Sequence, residues 1–144
     1  RKTPEFLRAM IETIREQFVI YLIDELSTDC KKDLNLMIEL IRKCSPTHIT
    51  EAVTKPHHTV RKNPIFILAA IECCPPSSIP RFCQRLEKSI RDNLCIAEKV
   101  LEKCPVTELS TALRCFSREI QNEYKKRGVD IQGQLQPNKK PRNA

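Results

Sequence analysis

The sequence predicts an all-α protein of about seven helices in antiparallel pairs, either a short α-solenoid or a repeat-derived helical bundle. Three observations carry that prediction. Only two glycines occur in 144 residues, Gly128 and Gly133, so the tight hairpins of a β fold lack the residue that reaches positive φ most readily. Apolar residues recur every three or four positions through most of the chain, which is the period of one helix face. The ten prolines mostly fall between these runs, several of them beside serine, threonine or asparagine, which is how helices are stopped and recapped.

Each helix is justified in turn by such signals. Thr3 with Pro4 reads as an N-cap followed by the first helical position. Phe6, Leu7, Met10, Ile11, Ile14, Phe18, Leu22 and Leu26 then trace one apolar stripe, so a single long first helix is expected. Ser27-Thr28-Asp29 ends it and caps a second helix with Leu34, Leu36, Met37, Leu40, Ile41 and Cys44 inward. Ser45-Pro46 opens a short third helix carrying Ile49 and Val53, which Pro56 ends. Residues 55–63 form a polar loop, and Asn63-Pro64 opens the helix from Ile65 to Cys74, apolar on nearly every side and therefore the most buried. Pro75-Pro76 stops it. Ser77 or Ser78 caps a fifth helix with Ile79, Phe82, Leu86 and Ile90 inward. Asp92 or Asn93 begins a sixth, with Leu94, Ile96, Ala97, Val100, Leu101 and Cys104. Beyond Pro105 a last helix runs from about Thr107 to Gly128, a suitable residue just past a helix end. The helical domain is thus placed at residues 1–128, and 129–144, polar and aperiodic, is expected to be a disordered basic tail.

A 30-residue recurrence organises these elements. Cys44, Cys74 and Cys104 are evenly spaced, and each is followed within two residues by proline. Apolar pairs precede them, Leu40-Ile41, Ala70-Ile71 and Val100-Leu101, and eight residues before them lie Leu36, Phe66 and Ile96. Five residues after them sit Ile49, Ile79 and Leu109, and nine after, Val53, Cys83 and Leu113. Each unit is a helix, a Cys-Pro corner and a second helix, which cannot bury its own face and has to stack on a neighbour. On these corners the stretch from Leu34 to Ile120 resembles the HEAT/armadillo-like class of α-helical repeats. That resemblance implies a scaffold with an inter-helix groove; its repeats are longer than 30 residues, so it is architectural only.

Composition narrows the function classes. From Arg1 to Arg127 there is no glycine, which argues against the glycine-rich phosphate loops of nucleotide-binding enzymes and against a nucleophile elbow. The formal charge is +7, but residues 125–144 hold six basic residues against one acid, Asp130, and so carry +5 of it. The preceding 124 residues net only +2. No run of about 18 uncharged apolar residues offers a membrane span, and no apolar signal core follows the first residues. The chain starts at Arg1 without methionine, which suggests a processed protein or a piece of a longer one.

Eight cysteines and three histidines raise the question of metal. Structural zinc sites draw on paired ligands two to five residues apart, and no cysteine pair has that spacing; Cys73 and Cys74 are adjacent and point in different directions on a helix. No metal, cofactor or catalytic residue is therefore assigned, and the chain is not expected to be an enzyme. The cysteines fall mostly on apolar helix phases, as buried reduced thiols do, with a disulfide-stapled secreted factor as the competing interpretation. The function expected is a protein–protein interaction module, part of a larger nuclear or cytoplasmic regulatory protein, with the basic tail favouring the nucleus. Its candidate contact residues are Lys55, His57, His58, Arg61, Lys62, Arg81, Arg85 and Lys88, suited to an acidic or amphipathic partner segment. Val19, Ile20, Tyr21 and Ile23 widen the apolar face of the first helix and suggest homo-oligomerisation there. The alternative is an RNA- or DNA-binding module that uses Arg81, Arg85, Lys88 and Arg91 on one helix face together with the tail.

Overall fold

The computed structural model describes residues 5–127. Among them the chain forms eleven α-helices and no strand, so the fold is all-α. Thr3, Pro4, Gly128 and the 129–144 tail lie outside the described residues. No described helix is long and apolar enough to cross a membrane. Contacts divide the chain into two compact units, Arg1–Pro75 and Pro76–Ala144.

The first unit holds α1 (Glu5–Thr13), α2 (Val19–Glu25), α3 (Thr28–Lys31), α4 (Leu34–Lys43), α5 (Ile49–Ala52), α6 (His58–Arg61) and α7 (Pro64–Cys73). Its centre is the packing of α4 on α7. Leu36, Met37, Leu40 and Ile41 from the former and Phe66, Ile67, Ala70 and Ile71 from the latter are buried. Burial of each large side chain of this kind stabilises by about 1.5–3 kcal/mol. As the sequence suggested, α7 buries more than one face, while Ile65 at its start is exposed.

The expected long first helix is in fact two. It ends at Thr13, Arg15 takes an extended conformation (φ −77°, ψ 149°), a 3-10 turn spans Glu16–Phe18, and α2 follows. No proline enforces this break. The corner is instead held from α4, whose Lys43 Nζ donates to the Ile11 carbonyl, while Ser45 N–H donates to the Glu16 carbonyl at 3.2 Å. The stripe is consequently divided as well. Leu7, Ile11, Val19, Ile20 and Ile23 are buried, whereas Phe6, Met10, Phe18 and Tyr21 face solvent. Three of the four residues that had suggested a widened apolar face are thus core.

Caps subdivide the other long runs. The Asp33 carboxylate accepts from Leu36 N–H at 3.1 Å and restarts the helix as α4 after the single turn of α3. The polar 55–63 loop contains the one-turn helix α6, whose N-cap is His57.

The second unit holds α8 (Ile79–Gln84), α9 (Leu94–Lys103), α10 (Leu109–Leu113) and α11 (Arg118–Lys126). In it α8 packs on α9 and α10, and α10 on α9, around Phe82, Ile96, Val100 and Leu113. Ile79, Phe82, Leu86 and Ile90 are all buried as expected, but α8 stops at Gln84 and Ile90 starts a separate 3-10 turn, Ile90–Asp92. Asn93 caps α9 through Ile96 N–H at 3.1 Å, and Ser117 caps α11 through Ile120 N–H at 3.4 Å.

The 30-residue recurrence is present in the backbone of both units. Cys44, Cys74 and Cys104 each follow a ten-residue helix and each leave it in an extended conformation. A 3-10 turn then follows in every case, at Pro46–His48, Pro76–Ser78 and Val106–Glu108.

Candidate functional site

Residue 31 and the residues 30, 60 and 90 positions after it carry a repeated device. Lys31 Nζ donates to the Asp24 carbonyl at 3.3 Å. Arg61 donates to the carbonyls of Thr54 (3.1 Å) and Pro56 (3.2 Å). Arg91 donates to those of Gln84 (3.0 Å) and Leu86 (3.1 Å), and Gln121 Nε2 to that of Phe116 at 2.9 Å. Each polar head thus reaches back five or seven residues and satisfies carbonyls left over at a helix end, groups that would otherwise be only partly solvated. The chain is tied a second time beside two of these latches: His57 N–H donates to the Lys31 carbonyl at 3.0 Å and Ser117 N–H to that of Arg91 at 2.9 Å.

This device sorts the residues singled out in the sequence. Arg61 is a latch. His57 is a cap, its Nδ1 accepting Thr59 N–H at 3.2 Å where Ser27 and Ser117 use a hydroxyl. Partial desolvation, then the neighbouring His58 and the cations Lys32 and Arg61, lower the His57 pKa and favour the neutral ring that accepts. Lys55 is paired with Asp24 at 3.0 Å and more loosely with Glu51 at 3.9 Å. His58 stacks on His57 with ring centroids 4.3 Å apart and is exposed, as is Lys62. In the second unit Arg81, Arg85 and Lys88 are exposed, but only Arg81 lies within α8; Arg85 is its C-terminal cap, Lys88 lies beyond it, and Arg91 is turned inward. The single helical face expected from Arg81 to Arg91 is therefore broken after its second member.

No disulfide joins any two of the eight cysteines. Burial raises the Cys44 and Cys104 thiols to about 11, with the neighbouring Cys73 adding to the first and Glu108 to the second. Among the described residues no cluster of three or more His, Cys, Asp or Glu is placed to hold a metal ion. His48, whose Nδ1 is buried without a hydrogen-bond partner, ends the Pro46–His48 turn.

A concave feature that the sequence did not flag lies in the second unit. An open groove of about 580 Å³ is lined by Leu101, Cys104, Val106, Leu109 and Tyr124, with Glu98, Glu102 and Arg127 at its edge. It lies where α11 departs from the recurrence. Asp33, Asn63 and Asn93 each interrupt the chain and restart a long helix, but the fourth equivalent is Glu123, inside α11, and the helix runs on without a break. Tyr124 consequently comes to lie over α9 where the restart of a long helix would have been. Arg127 sits 5.0 Å from the Tyr124 ring centroid and bonds Glu123 at 3.2 Å and Glu98 at 3.4 Å. Burial, then the Glu98 carboxylate, raises the Tyr124 phenol above its ordinary value. Val106, at 55 % exposure, occupies the position of Pro46 and Pro76 and forms an apolar lip. The missing asparagine at 123 and the valine at 106 were the available sequence signals.

No family model, no curated protein and no solved structure matches this chain.

Proposed function

We propose that the chain is a non-catalytic protein–protein interaction module of the helical-repeat class, and that it binds an amphipathic partner segment in the groove between α9, α10 and α11. The observation that carries this reading is the groove itself: apolar walls of Leu101, Leu109 and the Tyr124 ring with Val106 as an exposed apolar lip, beside Glu98 and Glu102. Grooves of this kind take the apolar face of a helix, with specificity set by the charges at the edge. Two carboxylates, Glu98 and Glu102, line the groove against one lining cation, Arg127, which bonds Glu98 and Glu123, while Glu102 pairs loosely with Lys99 at 3.9 Å. The complementary segment has leucine-like residues on one face and lysine or arginine flanking them. The 30-residue recurrence and the repeated latches support the repeat class, since they stiffen each corner on which such a groove is built.

The probe is a short helical peptide with leucines at i and i+4 flanked by lysines, compared with a counterpart in which glutamates replace the lysines. Chemical-shift mapping on the full chain is expected to place the lysine peptide at Leu101, Val106, Leu109 and Tyr124. The glutamate peptide is expected to bind at least tenfold more weakly. Val106→Lys, at an exposed position that leaves the fold intact, should reduce binding of the lysine peptide by tenfold or more, which corresponds to about 1.4 kcal/mol. Equal binding by Val106→Lys would show that the groove is not the contact. A silent groove combined with steeply salt-dependent binding of an RNA oligonucleotide at Arg81, Arg85 and Lys88 would replace this reading with a nucleic-acid one.

A further inference from the structure

Cys83 and Cys115 stand 32 residues apart in sequence, and the packing of α8 on α10 brings them together. Cys83 lies in α8 and is fully buried, while Cys115 follows α10 and is half-buried, so one sulfur faces the core and the other is reached from solvent. The Cys83 thiol hydrogen-bonds the Cys115 sulfur. As a thiol, Cys115 itself donates weakly to the Thr111 carbonyl at 3.7 Å. The nearby cation is Arg91, whose guanidinium is fixed by its bonds to the Gln84 and Leu86 carbonyls and whose own carbonyl is tied to Ser117, two residues beyond Cys115. The hydrogen bond from Cys83, and then the charge of Arg91, bring the Cys115 thiol down to about 7 against the opposing effect of burial. A half-buried cysteine with thiolate character next to a second, fully buried thiol is the arrangement of an attacking and a resolving cysteine.

We propose that Cys83 and Cys115 form a dithiol that undergoes exchange with a low-molecular-weight disulfide of the glutathione class, closing a reversible cross-link between α8 and the segment after α10. The Cys115 thiolate attacks one sulfur of glutathione disulfide. The S–S bond of the reagent breaks, and one glutathione leaves as a thiolate that takes up the proton Cys115 had released. Cys83 then gives its proton to solvent and attacks the Cys115 sulfur of the mixed disulfide, and the second glutathione leaves and is protonated. The protein dithiol is oxidised by two electrons and the reagent is reduced to two thiols. Thiols already in hydrogen-bond contact need only a short approach to the roughly 2 Å of a disulfide.

The test is incubation of the full chain with oxidised glutathione, followed by peptide mapping by mass spectrometry. The expected result is a Cys83–Cys115 cross-linked peptide that accounts for two lost thiols, with Cys95, exposed on α9, carrying at most a glutathione adduct as a third. Cys83→Ala should trap a persistent mixed disulfide at Cys115, and Cys115→Ser should leave Cys83 unreacted. A stable adduct on Cys115 in the wild type without the cross-link would overturn the proposal. So would modification of Cys83 in Cys115→Ser at the wild-type rate. Should Cys83→Ala unfold, the pH profile of Cys115 alkylation in the wild type decides. A half-maximal rate near pH 7 supports the dithiol, and one near pH 9 refutes it.

Discussion

Equivalent faces of α4 and α9 meet different fates. In the first unit α7 covers α4, and Leu40 and Ile41 are completely buried. In the second, Leu101, the counterpart of Ile41, retains 9 % of its surface, and Leu109, the counterpart of the fully buried Ile49, is also slightly open where both line the groove. The apolar residues are alike in kind, so composition does not cause the difference. The two places differ in how the chain continues: Asn63 caps and starts the ten-residue α7, whereas Glu123 lies inside α11. Among the described residues, the face that is core on α4 thus borders a groove on α9.

The largest effect that should distinguish the two faces is truncation at the shared column. Ile41→Ala empties a closed interface, and the loss of transfer energy plus the cavity is expected to destabilise by about 2–5 kcal/mol. Leu101→Ala removes a side chain from a wall that solvent already reaches and leaves no enclosed void, so about 1–2 kcal/mol is expected. Urea unfolding of both variants measures the ratio. Equal losses would mean that the groove is as closed as the α4–α7 interface.

The latches give the next largest contrast. Arg61→Ala removes charged donors from two carbonyls at the end of α5 and the turn after it, for which about 2 kcal/mol is expected. Gln121→Ala removes one neutral donor from the Phe116 carbonyl, a loss of about 1 kcal/mol. Amide hydrogen exchange should show faster opening of residues 54–61 in the first variant and of 116–121 in the second. Opening of a remote element instead would show that the latches do not act locally.

The all-α class, the 30-residue recurrence, the corners and most of the buried side chains were legible because apolar period and caps are local signals. Asn63 was recognised and caps α7, and of the alternatives Asp92 and Asn93 it is Asn93 that caps α9. The break at Ile14–Arg15 was not legible, since neither residue forbids a helix and the corner is held by Lys43 and Ser45 from 30 residues away. Periodicity likewise placed Phe6, Met10 and Phe18 inward; it reports the phase of a stripe and not whether a neighbour exists to cover it. Basic residues posed the hardest case. Arg61 and Arg85 look the same in sequence, yet the former spends its donors on backbone carbonyls while the latter is exposed at a helix end. The groove was invisible because it arises where the recurrence fails, and a search for matching columns passes over the column that does not match.

The smallest effect tests the two faces through their thiols. Cys44 ends α4 and Cys104 ends α9, and burial raises both to about 11. An unfolded cysteine titrates near 8.5–9. Between that value and 11 the unfolded chain has lost these protons while the folded chain keeps them, so stability falls as pH rises through this window and is fully present below it. Each thiol is expected to contribute on the order of 1 kcal/mol to that fall. Comparing urea midpoints at pH 8 and pH 10.5 for wild type, Cys44→Ala and Cys104→Ala isolates each share from the other groups that titrate there. Cys115 works in the opposite sense: the hydrogen bond from Cys83 holds its pKa below the ordinary thiol value, so its own contribution to stability is lost as pH falls. Filling the groove with the lysine-flanked peptide covers Cys104 but not Cys44. The bound peptide should therefore steepen the alkaline loss through Cys104 and leave that through Cys44 unchanged, and an equal change in both would mean that the peptide sits elsewhere.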